Sequence, residues 1–142
     1  MSEYKKVLVA LDVCEDNNDI IARAARLAGD AASLRLLHMV EPIYYPENYM
    51  GGLSIDLQEK SIEFARQELH DAAKKYGIPD SNCHVNVGKA SSGVHTFAKE
   101  RDCDLVVIGS HGKHGLQLLL GSTATAILHG ASCDVLAVRI VD

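Results

Sequence analysis

Short apolar tracts of strand length alternate with stretches in which apolar residues recur every three or four positions, and this alternation sets the architecture. "KKVLVALD", Lys5 to Asp12, and "SLRLLHMVEP", broken at Pro42, are continuous apolar runs, the pattern of strands buried on both faces of a parallel sheet. Between them, "EDNNDIIARAARLAGDAA" puts Ile20, Ile21, Ala24, Ala25, Leu27 and Ala28 on one stripe. That spacing predicts a helix with Asn17 or Asn18 as its cap and Gly29 near its end. Leu57 to Tyr76 carries Ile62, Ala65, Leu69 and Ala73 at helical spacing and stops at Gly77 and Pro79, a long amphipathic helix. "CHVNV" alternates Cys83, Val85 and Val87 with polar neighbours, which suits a half-exposed edge strand. "SSGVHTFAKERDC" opens with capping serines and reads as a short helix, "DLVVIG" as a fourth strand, "STATAILHGA" as a last helix and "DVLAVRIV" as a fifth strand.

Strand and helix alternate throughout, so the expected fold class is α/β: a three-layer, doubly wound sandwich around a five-stranded parallel sheet with right-handed crossovers. The chain has 142 residues, 47% of them hydrophobic, enough for one core and too few for two, so residues 1–142 read as one domain. Two connections exceed the usual length, residues 41–56 and 110–121. Both leave the carboxyl ends of strands, where open α/β sheets place their ligands. The first, with Tyr44, Tyr45, Tyr49 and the Gly51-Gly52 pair, reads either as a lid or partner contact or as a plain surface excursion.

Charge and cysteine content narrow the function classes. A net charge of −5 and a pI near 5.8 disfavour a broad nucleic-acid surface, which rests on Lys and Arg neutralising phosphates. No apolar run approaches the roughly 18 to 20 residues that span a bilayer, and "MSEYKKVLVALD" lacks a leader pattern, so a cytoplasmic protein without a membrane partner is expected. Cys14, Cys83, Cys103 and Cys133 are scattered, neither a disulfide framework nor a zinc set, and read as small apolar fillers.

The chemistry concentrates in "VVIGSHGKHGLQLLLGSTATAIL", residues 106–128. Gly109 ends the fourth strand, Gly112 permits a close turn, and Gly121 precedes Ser122 and Thr123 at a helix start. Exposed backbone N–H groups and the positive end of a helix suit a phosphate there, with the two hydroxyls as further donors. The same residues also read as turn glycines with Ser122 as a helix cap. The spacing is not that of a Walker A loop. His111, Lys113 and His114 are expected to add positive charge near phosphates, while His111 and His114 alone do not make a metal site. His38, inside an apolar strand, reads as a hydrogen-bonded core residue. No nucleophile stands beside a base in any recognisable order.

The strand ends "LVALD", "LLHMVE" and "DLVVIGSHG", followed by "LLLGSTATAILHGASCDVLAVR", resemble the universal stress protein family over nearly the whole chain. The resemblance implies the adenine nucleotide alpha hydrolase-like fold, a homodimer, and a stress-response role. One branch of that family binds ATP, with or without Mg²⁺, through Gly, two residues, Gly, nine residues, Gly, then Ser or Thr. Gly109, Gly112, Gly121 and Ser122 match it, except that eight residues separate Gly112 from Gly121, the spacing of the universal stress protein A type. The alternative implied by that spacing is a nucleotide-free dimeric interaction protein.

Carried over residue by residue, the resemblance implies that Asp12 holds ribose hydroxyls and that Ala10 and Met39 line an adenine pocket. His111, Gly112, Gly121, Ser122 and Thr123 would then meet the phosphates. Cys14 replaces a serine common in the family. Catalysis, if any, is limited to slow ATP hydrolysis. In strand order 3-2-1-4-5 the fifth strand is expected at an apolar outer edge, and an antiparallel pairing of Val135–Ile140 with a second copy would bury Val135, Leu136, Ala137 and Val138, the homodimer that the resemblance also implies.

Overall fold

The computed structural model describes residues 3–13, 16–42, 51–111 and 121–140, without the side chains of residues 51–55 and His111. Five parallel strands, β1 (Val7–Ala10), β2 (Leu34–Val40), β3 (Cys83–Val87), β4 (Leu105–His111) and β5 (Asp134–Ile140), form one sheet in the order β3-β2-β1-β4-β5. Four helices connect them: α1 (Asn18–Ala28), α2 (Gly51–Tyr76), α3 (Ala90–Glu100) and α4 (Ser122–Gly130). The expected fold class and strand order are those observed.

The central strands are apolar on both faces because helices cover both. On one face Val7, Val9, Leu34, Leu36, Leu105 and Val107 pack with Ile20, Ile21, Ala24 and Ala28 of α1 and with Ala65, Leu69 and Ala73 of α2. On the other, Leu8, Leu37, Val106 and Ile108 meet Val94, Phe97 and Ala98 of α3 and Ala124 and Ile127 of α4. Each Val, Leu or Ile fully buried among them contributes about 1.5–3 kcal/mol relative to exposure. β3, with no fully buried position, is the exposed border that its alternation predicts.

Helix ends follow local chemistry. Gly29 adopts φ +74° and donates its N–H to the Ala25 carbonyl at 3.1 Å, a left-handed cap that glycine takes without penalty. Gly77, at φ +69°, turns the chain after α2. Several boundaries differ from expectation. Gly109 does not end β4, which continues beside β5 to His111. α2 begins at Gly51 rather than Leu57, so the long connection is shorter; glycine costs a helix only about 1 kcal/mol, and the pair sits in the first turn. The serines of α3 are not its caps: Lys89 holds that position, and Ser91 and Ser92 lie within the helix. At α4 the cap is Gly121, and Ser122 is the first helical residue. Residues 43–50, which carry the three tyrosines of the expected lid, lie outside the described residues.

Among the described residues, Cys83, Cys103 and Cys133 are free thiols packed in the two apolar clusters. Burial pushes the Cys83 and Cys103 thiols up to about 11, as befits fillers rather than nucleophiles. No helix of the described residues is long and apolar enough to cross a membrane.

Candidate functional site

A cleft of about 450 Å³ opens at the carboxyl end of the sheet. Its position follows from strand pairing. β1 pairs with β4 only through Val7, Leu8 and Val9, whereas β4 continues beside β5 to His111. β1 therefore turns away while its neighbour runs on, and the gap lies where successive connections leave to opposite faces, the switch point of a doubly wound sheet.

Seven of the nine expected site residues line this cleft: Ala10, Asp12, Met39, Gly109, Gly121, Ser122 and Thr123. His111 ends β4, with only its backbone described. Gly112 lies outside the described residues, as do Lys113, His114 and Cys14. Leu37, Val94, Ile108 and Ile127 extend the wall begun by Ala10 and Met39 into an apolar slot, the lining usual for a small-molecule site.

The two glycines at the cleft have different reasons. A Cβ on Gly109 would stand 2.8 Å from the Cδ1 atoms of both Ile20 and Ile140, so the absence of a side chain lets α1 and β5 close the cleft floor. A Cβ on Gly121 would meet nothing within 4 Å, and its φ of −61° and ψ of 162° suit any residue. Packing among the described residues does not require glycine there, and Gly121 is an exposed residue of the cleft lining.

Directly after it, Thr125 donates its N–H to the Gly121 carbonyl at 2.9 Å, the first bond of α4. The N–H groups of Ser122, Thr123 and Ala124 precede that bond and have no partner within the helix. They lie at the positive end of the helix dipole, and the three residues line the cleft.

Sequence reasoning missed three polar wall residues, Asn17, His38 and Glu41. His38 is hydrogen-bonded, as expected of a core histidine, through Nδ1 to the Leu11 carbonyl at 2.9 Å, yet it also borders the cleft. Asn17 holds the cap position of α1 but does not cap it; its Nδ2 donates to the Asp12 carbonyl at 2.8 Å. Position alone signalled a cap, and only the fold shows where the side chain goes. The described wall includes the carboxylates of Asp12 and Glu41 and no Lys or Arg. Among the described residues, no cluster of three His, Cys, Asp or Glu forms a metal site.

The universal stress protein family model matches residues 3–139. Universal stress protein A homolog 2 of Coxiella burnetii is 41% identical over 144 residues, covering 99% of this chain and 98% of the relative. Homolog 1 of the same organism is 36% identical over 138 residues, covering 95% and 96%. Among solved structures, UspA from Lactobacillus plantarum superposes with a TM-score of 0.81 at 19% identity over 98% of this chain and all of that one, which shows the shared fold. A universal stress protein solved in complex with cAMP gives a TM-score of 0.60 at 27% identity, covering 99% of this chain and all of that one. This chain, from the alternation of its strands and helices to the order of its sheet, belongs to the universal stress protein family.

Proposed function

We propose that the protein is a nucleotide-dependent binding module of the stress response, in which an adenine nucleotide occupies the cleft and two copies associate along β5. The observation that carries the proposal is the convergence of Asp12, from the turn after β1, with Gly121, Ser122 and Thr123, from the start of α4, on one cleft with an apolar inner wall. In this reading the base enters the slot between Ala10, Met39 and Val94, and Asp12 accepts hydrogen bonds from ribose hydroxyls. The phosphates meet the first N–H groups of α4 and the hydroxyls of Ser122 and Thr123. The open space over Gly121 fits a ligand that approaches the backbone there. His111 and Gly112 belong to the phosphate end by resemblance. With carboxylates and no described Lys or Arg in the wall, Mg²⁺ arriving with ATP would supply the countercharge. The relative solved with cAMP supports an adenine nucleotide as the ligand class. The reading assigns no catalytic residue, and it takes the protein as cytoplasmic.

Calorimetry with ATP and Mg²⁺ tests it. Wild type is expected to bind saturably, and Asp12→Ala to bind about tenfold more weakly, a loss of about 1.4 kcal/mol. No heat at millimolar nucleotide would remove the nucleotide claim.

A second reading, a nucleotide-free dimeric interaction protein, is favoured by the identity to two universal stress protein A homologues and by the eight residues between Gly112 and Gly121. It predicts that denaturing the purified protein releases no nucleotide detectable by chromatography, and that Asp12→Ala leaves partner binding unchanged.

A further inference from the structure

β1 leaves the sheet in a specific way. Its last main-chain bond toward β2 runs from the Leu11 N–H to the Leu37 carbonyl at 2.9 Å. The Leu11 carbonyl, next in line, bonds instead to the His38 ring, Nδ1 to O 2.9 Å. A carbonyl only accepts, so Nδ1 carries the proton and a side chain of β2 takes the place of a ladder donor. One residue later the Asp12 carbonyl accepts from Asn17 Nδ2 at 2.8 Å.

Asn17 forgoes its usual work to do this. Asparagine at a helix cap ordinarily accepts from the N–H two or three residues on, and here it makes no such bond. The Asn18 N–H is instead taken by Asp16 Oδ1 at 3.0 Å.

The two held carbonyls belong to the peptide planes on either side of the Asp12 Cα. Fixing both planes fixes the φ and ψ between them and so the direction of the Asp12 Cα–Cβ bond. Leu11 and Val13 are buried and anchor the flanks, while Asp12 itself is exposed at the cleft.

We propose that His38 and Asn17 are positioning residues that aim the Asp12 carboxylate across the cleft mouth, and that preference for a ligand with vicinal hydroxyls depends on them. The proposal rests on the nucleotide reading above. Binding geometry held by neighbouring hydrogen bonds is more selective than geometry left to a free side chain.

The test compares ATP with 2′,3′-dideoxy-ATP by calorimetry on wild type, His38→Leu, His38→Asn and Asn17→Ala. Asparagine at 38 keeps an amide donor near the place of Nδ1; leucine does not. His38→Leu and Asn17→Ala are expected to lower the ATP to dideoxy-ATP affinity ratio at least about fivefold, the scale of one well-placed hydrogen bond. Affinity for the dideoxy analogue should fall less than affinity for ATP, since both residues also border the cleft, and His38→Asn should recover most of the ratio. An unchanged ratio, or equal weakening of both ligands, would overturn the proposal. If wild type binds neither ligand, the nucleotide reading fails, and amide hydrogen exchange at Leu11–Val13 decides positioning by itself. Faster exchange in His38→Leu and Asn17→Ala, restored in His38→Asn, supports it; unchanged exchange refutes it.

Discussion

Gly109, within β4, and Gly121, at the start of α4, read alike in the sequence as glycines of one phosphate-binding stretch, yet substitution should separate them. Alanine at 109 forces the Cδ1 ends of Ile20 and Ile140 to move, and overpacking of this kind costs about 1–3 kcal/mol, read as a lowered denaturation midpoint. Alanine at 121 has open space and a permitted backbone. Weaker capping and reduced chain entropy oppose each other there, so stability should stay within about 0.5 kcal/mol of wild type. Nucleotide affinity is nevertheless expected to fall, because Gly121 lines the cleft and a methyl there would crowd a ligand held against its backbone. The two effects together, measured by denaturation and calorimetry on the same pair of variants, distinguish a packing glycine from a ligand glycine. Nothing in the sequence distinguishes them, since the neighbours that decide the matter, Ile20 and Ile140, lie far away along the chain.

Between elements, the face of the sheet under α3 carries a linked set of side chains. Arg35 of β2 lies with Nη1 3.1 Å from His84 Nε2 on β3. The His84 ring meets Phe97 of α3 at 4.8 Å between centroids, and Arg101, just after α3, stands 5.0 Å over the same phenyl ring. Burial first, then the charges of Arg101 and Arg35, lower the His84 pKa below its ordinary 6.5. A guanidinium only donates, so the ring accepts and is neutral when folded. The unfolded chain takes up the proton first. The stability held above pH 6.5 is therefore lost as pH falls through 6.5 toward the lowered folded value. Urea midpoints compared at about pH 7.5 and 5.5 should show this decline, and Arg101→Gln should lessen it. An equal decline in the variant would remove Arg101 from the account.

The elements themselves were largely legible, because buried strands and amphipathic helices impose different periods on apolar residues. α1, with Ile20, Ile21, Ala24 and Ala28 inward, is the plainest case. What stayed hidden were boundaries decided by contacts. The start of α2 was masked by a glycine pair that reads as a break, and the cap of α1 turned its side chain to Asp12.

For the whole molecule, the parallel, doubly wound sheet was legible from the alternation of elements, while its order needed the family resemblance and its edges were only partly legible. β5 is an edge strand, but its four expected interface residues divide. Val138 is already buried within its own chain, Leu136 packs on the same cluster, Val135 is half-buried and Ala137 is exposed. A dimer along this edge would then use backbone hydrogen bonds and the Ala137 side of the strand. Ala137→Glu brings like charges together across a two-fold axis, and sedimentation should show a wild-type dimer and a monomeric variant with unchanged stability. A variant that remains dimeric would move the interface elsewhere. The site shows the same division: the residues that approach from strand and helix ends, Asp12 and Gly121, were legible, whereas His38 and Asn17 required the path of the chain.

The pairing of β1 with β4 gives the sheet a seam. Three positions join these strands, against seven between β4 and β5, and the cleft lies over the end of that short junction. A molecule lodged there touches β1 and β2 on one side and β4 and α4 on the other. It would act as a splint across that junction, coupling the half that carries β3 to the half that carries the exposed edge of β5. Occupancy of the cleft would then register as slower amide exchange along the seam at Leu8 and Val9, so that the ligand's presence is felt as mechanical continuity between two halves.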